Sequence, residues 1–144
     1  MKKILIFLAI VIIIIAVVFV NYSSYKNQHN AILKDNLIYE EYKDKEVYGL
    51  DIATLINKTV DKNTKNRIEK DEQGMYIPND TNSIQIEIYM QDNETTYKME
   101  TIYNMGTEEF VLYYGNIKFK CSNIEYHKKT GRIKYLLFEQ VQTS

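Results

Sequence analysis

Cysteine is nearly absent: Cys121 is the only one in 144 residues. One thiol cannot close an internal disulfide, so no covalent staple is available to the fold. The CxxC and HExxH spacings that bring Cys and His together on a metal are also missing. There is no tryptophan, so the indole platform on which sugars often stack is not on offer. One proline, Pro78, and five glycines leave few obligatory chain breaks. Neither sign of charge dominates. A net charge of −1 and an isoelectric point near 6.1 give no basic face for nucleic acid.

What the chain does have is a long hydrophobic run. Ile4 to Val20 is 17 residues without a polar side chain. As a helix it spans about 25 Å, close to the ~30 Å hydrocarbon core of a bilayer once Asn21 and Tyr22 are added. A cleaved signal has a shorter apolar core, about 7–15 residues, ending at a small-x-small site. Here Val18, Phe19 and Val20 stand where small residues should be, and no Cys lies nearby for lipidation. The run is therefore read as a retained anchor. Lys2 and Lys3 precede it and the next base, Lys26, lies well beyond it, which places the N-terminus in the cytoplasm. The expected division is 1–3 cytoplasmic tail, 4–22 transmembrane anchor, 23–45 stalk helix and 46–144 extracytoplasmic domain. Roughly 120 residues beyond the anchor suffice for one modest core.

Tyr22, Tyr25, Ile32, Leu33, Leu37 and Tyr39 recur at helical spacing with no Pro or Gly among them, hence the stalk helix. A short extended piece over Glu46–Tyr48 follows. Gly49 is expected to turn the chain with positive φ into a second helix opened by Asp51 and ended by Asn63. That helix should bury Leu50, Ile52, Leu55, Ile56 and Val60. The charged stretch Asn63–Gly74 reads as a loop or hairpin arm turned by Gly74. Ile84, Ile86, Ile88 and Met90 alternate with Gln85, Glu87 and Tyr89, the period of a half-buried strand. With Thr95–Tyr103 it makes a first hairpin. Thr107–Tyr114 reads as a short helix capped by Thr107 and closed by Gly115. The second hairpin joins Ile117–His127 to Arg132–Val141 through the turn KKTG. A phase slip at Asn123–Ile124 implies a bulge, and the doubly apolar Tyr135–Phe138 implies a central strand. The sum is an α+β fold: anchor and stalk, a second helix, and a four-stranded antiparallel sheet of two hairpins with a short helix between them.

Candidate chemistry is sparse. Asp61–Glu72 has oxygen ligands at calcium-hand spacing, but Lys65 stands at a ligand position and the turn glycine is missing. His29 and His127 lie in separate elements. Cys121 shares a strand face with Ile117 and Phe119, as a small core residue does. Paired acids such as Glu40–Glu41 and Glu108–Glu109 are adjacent on helices and point apart. Asn21, Asn57, Asn79 and Asn93 begin Asn-x-Ser/Thr triplets, expected by chance in a chain so rich in Asn and Thr. No catalytic, metal or cofactor site is expected. The remaining candidates are contact residues. His29, Ile32 and Tyr39 would form a seam on the stalk, and Tyr89 would lie on the polar sheet face, since Tyr is enriched at interface hot spots.

Over Tyr42–Ile56, the pattern formed by Tyr42, Val47, Gly49, Asp51, Ile52 and Ile56 resembles that of short single-pass proteins of Gram-positive bacteria. Some of these are pilin-like and associated with type IV or Tad-type pilus and secretion loci. An apolar N-terminal helix running into an antiparallel sheet is also similar to pilins. The resemblance implies an envelope protein that makes protein contacts as an accessory part of such an assembly. Two pilin features are missing: a Gly-ended leader, and a Glu five residues into the mature helix, since no acid precedes Asp35. The alternative expectation is an envelope module binding a peptide, a wall fragment or an ion. The membrane and either a protein partner or self-association are expected; nucleic acid is not.

Overall fold

The structure, a computed structural model, describes residues 1–142. They fall into two units, Met1–Asp35 and the chain from Asn36 onward. The first is helical from Lys2 onward. No Pro or Gly occurs before Gly49, and the helix α1 runs Lys2–Glu40. Between Ile4 and Val20 every side chain is exposed except the partly covered Val11. The helix stops at Glu40, short of the expected residue 45, and Asp44 takes a positive φ of 58° in the turn that follows.

The second unit is α+β. After the last turn of α1 come β1 (Glu46–Tyr48), α2 (Gly49–Lys65), β2 (Gln85–Met90), β3 (Thr95–Lys98), α3 (Met99–Met105), α4 (Thr107–Tyr114), β4 (Lys118–Tyr126) and β5 (Ile133–Gln140). The strands form one five-stranded sheet in the order β1-β4-β5-β2-β3. This corrects the four-stranded antiparallel expectation in two respects. β1 is a real edge strand on β4, and β2 pairs with β5 in parallel, Ile86 opposite Leu136 and Ile88 opposite Phe138. Both hairpins exist as antiparallel pairs. They join in parallel because α3 and α4 separate them, a connection long enough to carry the chain across the sheet. The expected strand over Thr95–Tyr103 lasts only to Lys98, where α3 begins. The bulge expected at Asn123–Ile124 falls just before it, with Ser122 as the extra residue, since Cys121 pairs with Phe138 and Asn123 with Leu137; a second register shift lies between Glu125 and Tyr126.

One sheet face is covered and one is open. Ile86, Ile88, Met90, Leu136, Phe138, Phe119 and Cys121 are buried, in one core with Ile52, Leu55, Ile56 and Val60 of α2, Ile102 of α3 and Phe110 of α4. Leu50, expected in this core, is 55% exposed. The opposite face carries the half-exposed Gln85, Glu87, Tyr89, Tyr135, Leu137 and Glu139.

Two buried asparagines hold backbone where regular pairing stops. Asn36 donates from Nδ2 to the Gly131 carbonyl (2.8 Å) and accepts from the Ile133 N–H (3.0 Å) at the start of β5. Asn63 donates to the Ile84 carbonyl (2.7 Å) and accepts from its N–H (3.0 Å). Asn63 is therefore a clamp inside α2, which continues to Lys65, rather than its terminus. Each amide satisfies one backbone donor and one acceptor; the buried ones, the Ile133 N–H and both Ile84 groups, would otherwise cost about 1–3 kcal/mol apiece.

Gly49 opens α2 for a different reason from the one expected. Positive φ falls on Gly74, Gly106 and Gly131 instead. At Gly49 the constraint is close approach: a Cβ there would lie 2.1 Å from the Tyr114 carbonyl oxygen. The Gly49 N–H donates to the Ile117 carbonyl (2.9 Å), locking the start of α2 against the chain leaving α4. Asp51 accepts from the Tyr48 N–H (3.2 Å), satisfying one donor at that helix start. Thr107, expected to cap α4, is its first residue and bonds Asn57 instead (3.1 Å); Gly106 precedes it. Replacing Gly49 with Ala should cost about 1–3 kcal/mol, because backbone rather than a mobile side chain has to give way. Thermal unfolding of the detergent-solubilised chain, followed by near-UV tyrosine dichroism, reads this directly. An unchanged midpoint would contradict the close contact.

Candidate functional site

The stalk candidates separate on inspection. His29 is exposed and its ring stacks on that of Tyr25, with centroids 6.3 Å apart and planes 9° from parallel. Ile32 is partly covered. Tyr39 is 2% exposed and belongs to the core of the second unit, with its hydroxyl accepting from Thr59 (3.4 Å). A buried ring cannot face a partner, so Tyr39 leaves the seam. The exposed large side chains at compatible helical spacing are Tyr22, Tyr25 and Leu33, on either side of His29.

Tyr89 lies on the open sheet face, level with Thr96 of β3 and Glu139 of β5. That face is internally paired. The Tyr135 hydroxyl donates to Glu87 (2.8 Å), Ser122 donates to Glu139 (2.9 Å), and Lys134 lies 3.6 Å from Glu125. Burial, then the bond to the Glu87 carboxylate, pushes the Tyr135 phenol well above its ordinary value. The phenol therefore stays a donor, and Glu87 is kept as its acceptor.

His127 and Cys121 are buried apart from each other in function. The His127 ring Nε2 is 2.7 Å from the Ser83 carbonyl and serves to close the loop before β2. Cys121 sits between Lys120 and Ser122 on β4, its thiol 3.6 Å from the Asn123 carbonyl. Burial pushes that thiol up to about 11, where thiolate is scarce at neutral pH.

A groove is the feature that the sequence reading missed. It has a volume of about 160 Å³ and lies between edge strand β3 and helices α3 and α4. Met90, Ile102 and Phe110 make its buried floor; Tyr97 and Tyr114 are its walls; Met105 and Tyr113 stand at its lip, 56% and 66% exposed. Glu109 also lines it, one helical turn before Tyr113. Reading Thr95–Tyr103 as one strand hid this arrangement, because a strand would have put Ile102 and Tyr97 on different faces. The available signal was Gly106 after a run of Met, Ile and Tyr, which splits α3 from α4.

Comparisons with protein families, with curated proteins and with solved structures return no match to this chain.

The raised Cys121 thiol has two consequences. At pH 8, iodoacetamide should alkylate it at least about 100-fold more slowly in the folded chain than in urea, since two units of pKa change the thiolate fraction about that much. Because the folded thiol holds its proton more tightly than the unfolded one, its share of stability is intact below about pH 9 and lost as pH rises toward 11. Equal alkylation rates in the two states would show that the thiol is open to solvent.

Proposed function

We propose that this chain is a non-enzymatic, single-pass, membrane-anchored protein whose extracytoplasmic domain and stalk make protein–protein contacts, as an accessory, pilin-like component of a pilus or secretion assembly. The observation that carries the reading is α1. It is the one helix among the described residues long and apolar enough to cross a membrane, and its apolar side chains are exposed along that length. So large an apolar surface is not left in water. Lys2 and Lys3 ahead of it support a cytoplasmic N-terminus, and so an external domain.

The contact role is supported by the row Tyr22, Tyr25, His29 and Leu33, exposed at the helical spacing by which one membrane-rooted helix meets another. The pilin-like part of the proposal rests on the Tyr42–Ile56 pattern and the order of an apolar helix before a sheet domain. A ligand module on the open sheet face is less well supported, because its Tyr135, Glu87, Ser122 and Glu139 groups already satisfy one another.

The test is site-specific photo-crosslinking in live cells from positions 25, 29 and 33 of the full chain. The expected result is covalent adducts with another membrane-rooted protein at two or more of them. Adducts to lipid alone would overturn the contact reading.

A further inference from the structure

The groove between β3, α3 and α4 has no assigned occupant, and its chemistry narrows the choice. At about 160 Å³ it is smaller than the roughly 300–1,000 Å³ of small-molecule and cofactor sites, and closer in size to one bulky side chain. Its floor is buried and apolar, and its lip exposes Met105 and Tyr113 to solvent. A flexible Met and rigid Tyr rings are the residue types that dominate protein-recognition surfaces.

Charge separates the remaining partners. Met99–Tyr114 contains Glu100, Glu108 and Glu109 and no Lys or Arg. Glu100 is buried and accepts the Tyr76 N–H (3.2 Å), so it is already engaged. Glu109 lines the groove, and among the described residues nothing bonds its carboxylate. An anionic lipid surface would be repelled here. A second copy docked groove to groove about a two-fold axis passing beside Glu109 would bring that carboxylate towards its own equivalent, and like charges across a contact are costly. A segment with a cation beside an apolar anchor meets neither objection.

We propose that this groove is the docking site for a partner polypeptide that inserts one large apolar side chain over Ile102 and Phe110 and sets a Lys or Arg against Glu109. The proposal rests on the protein-contact reading above and deepens it by naming the site and the partner's chemistry. Tyr97, Tyr113 and Tyr114 surround the aliphatic stem of the cation, and their ring faces favour it further. Tyr97 is held in place by Asn93, which donates to its hydroxyl (3.2 Å).

The test uses the full chain in detergent on an array of pentapeptides, with Leu, Ile, Phe or Tyr at four positions and Lys, Gln or Glu at the centre. The expected result is binding of the Lys set at least about tenfold stronger than the Glu set. Glu109→Gln should erase that preference while leaving tyrosine dichroism unchanged, since its side chain is exposed and, among the described residues, unpaired. Tyr113→Ala should weaken every set. The proposal is overturned if no set binds, if the Lys and Glu sets bind alike, or if Glu109→Gln keeps the preference. Dimerisation of the chain that Tyr113→Ala abolishes would also overturn it, in favour of a second copy. Stalk crosslinks with no charge preference on the array would remove the groove and leave the contact reading standing. A charge preference without stalk crosslinks would leave the groove and the domain's part of the contact reading standing and remove the stalk from it.

Discussion

Strand β5 is the constraint on which the domain depends, because it is hydrogen-bonded along both edges, antiparallel to β4 and parallel to β2. Its ends are tied by side-chain amides. Asn36 accepts from Ile133 at the start. Gln140 at the end accepts the Gln91 N–H (3.0 Å) and donates to Asp92 (2.8 Å). Between them, Phe138 takes the Tyr42 ring edge-on, with centroids 5.9 Å apart. The chain leaving α1, the first hairpin and the bulged β4 thus all meet one late segment of sequence. A strand buried at its centre and paired on both sides has no alternative partners, so it specifies the arrangement of the others.

How much of this could be read beforehand follows from where the information lies. β2 was legible because Ile84 to Met90 alternate without interruption, and β5 because Tyr135–Phe138 is apolar on both faces. The bulge was legible because a phase slip is local. The parallel β2–β5 pairing was not, since it depends on the path of α3 and α4, which no local pattern encodes. The Thr95–Tyr103 segment failed for a related reason. Four residues of alternation run directly into Met99, and nothing at Lys98 signals the change of period. Gly49 was identified as special, but through the wrong property: close approach to Tyr114 is a tertiary fact, whereas positive φ is a local one.

The same distinction governs the candidate sites. Tyr39 and Leu33 look alike in a helical stripe, yet one is sealed in the core and the other is exposed. Only packing separates them. The groove was invisible because its residues come from four elements, β2, β3, α3 and α4, whose meeting is a property of the fold. What composition did carry was the hydrophobic run, and the functional account grows from it. On the proposed reading, a domain held by that run, with a largely paired sheet face and an acidic, aromatic groove, would hold a protein partner near a membrane.

Everything in that account requires the run to remain attached and the domain to lie outside. The most direct measurement introduces Glu72→Cys in the exposed turn that Asp71 fixes by accepting the Gln73 and Met75 N–H groups (both 2.9 Å). Native Cys121 is buried and adds no background. A membrane-impermeant maleimide applied to intact protoplasts should label this variant at the full 17.1 kDa, in the membrane fraction. Labelling only after lysis would place the domain inside, and a shorter labelled species in the medium would mean that the apolar helix is removed; either result would contradict the account.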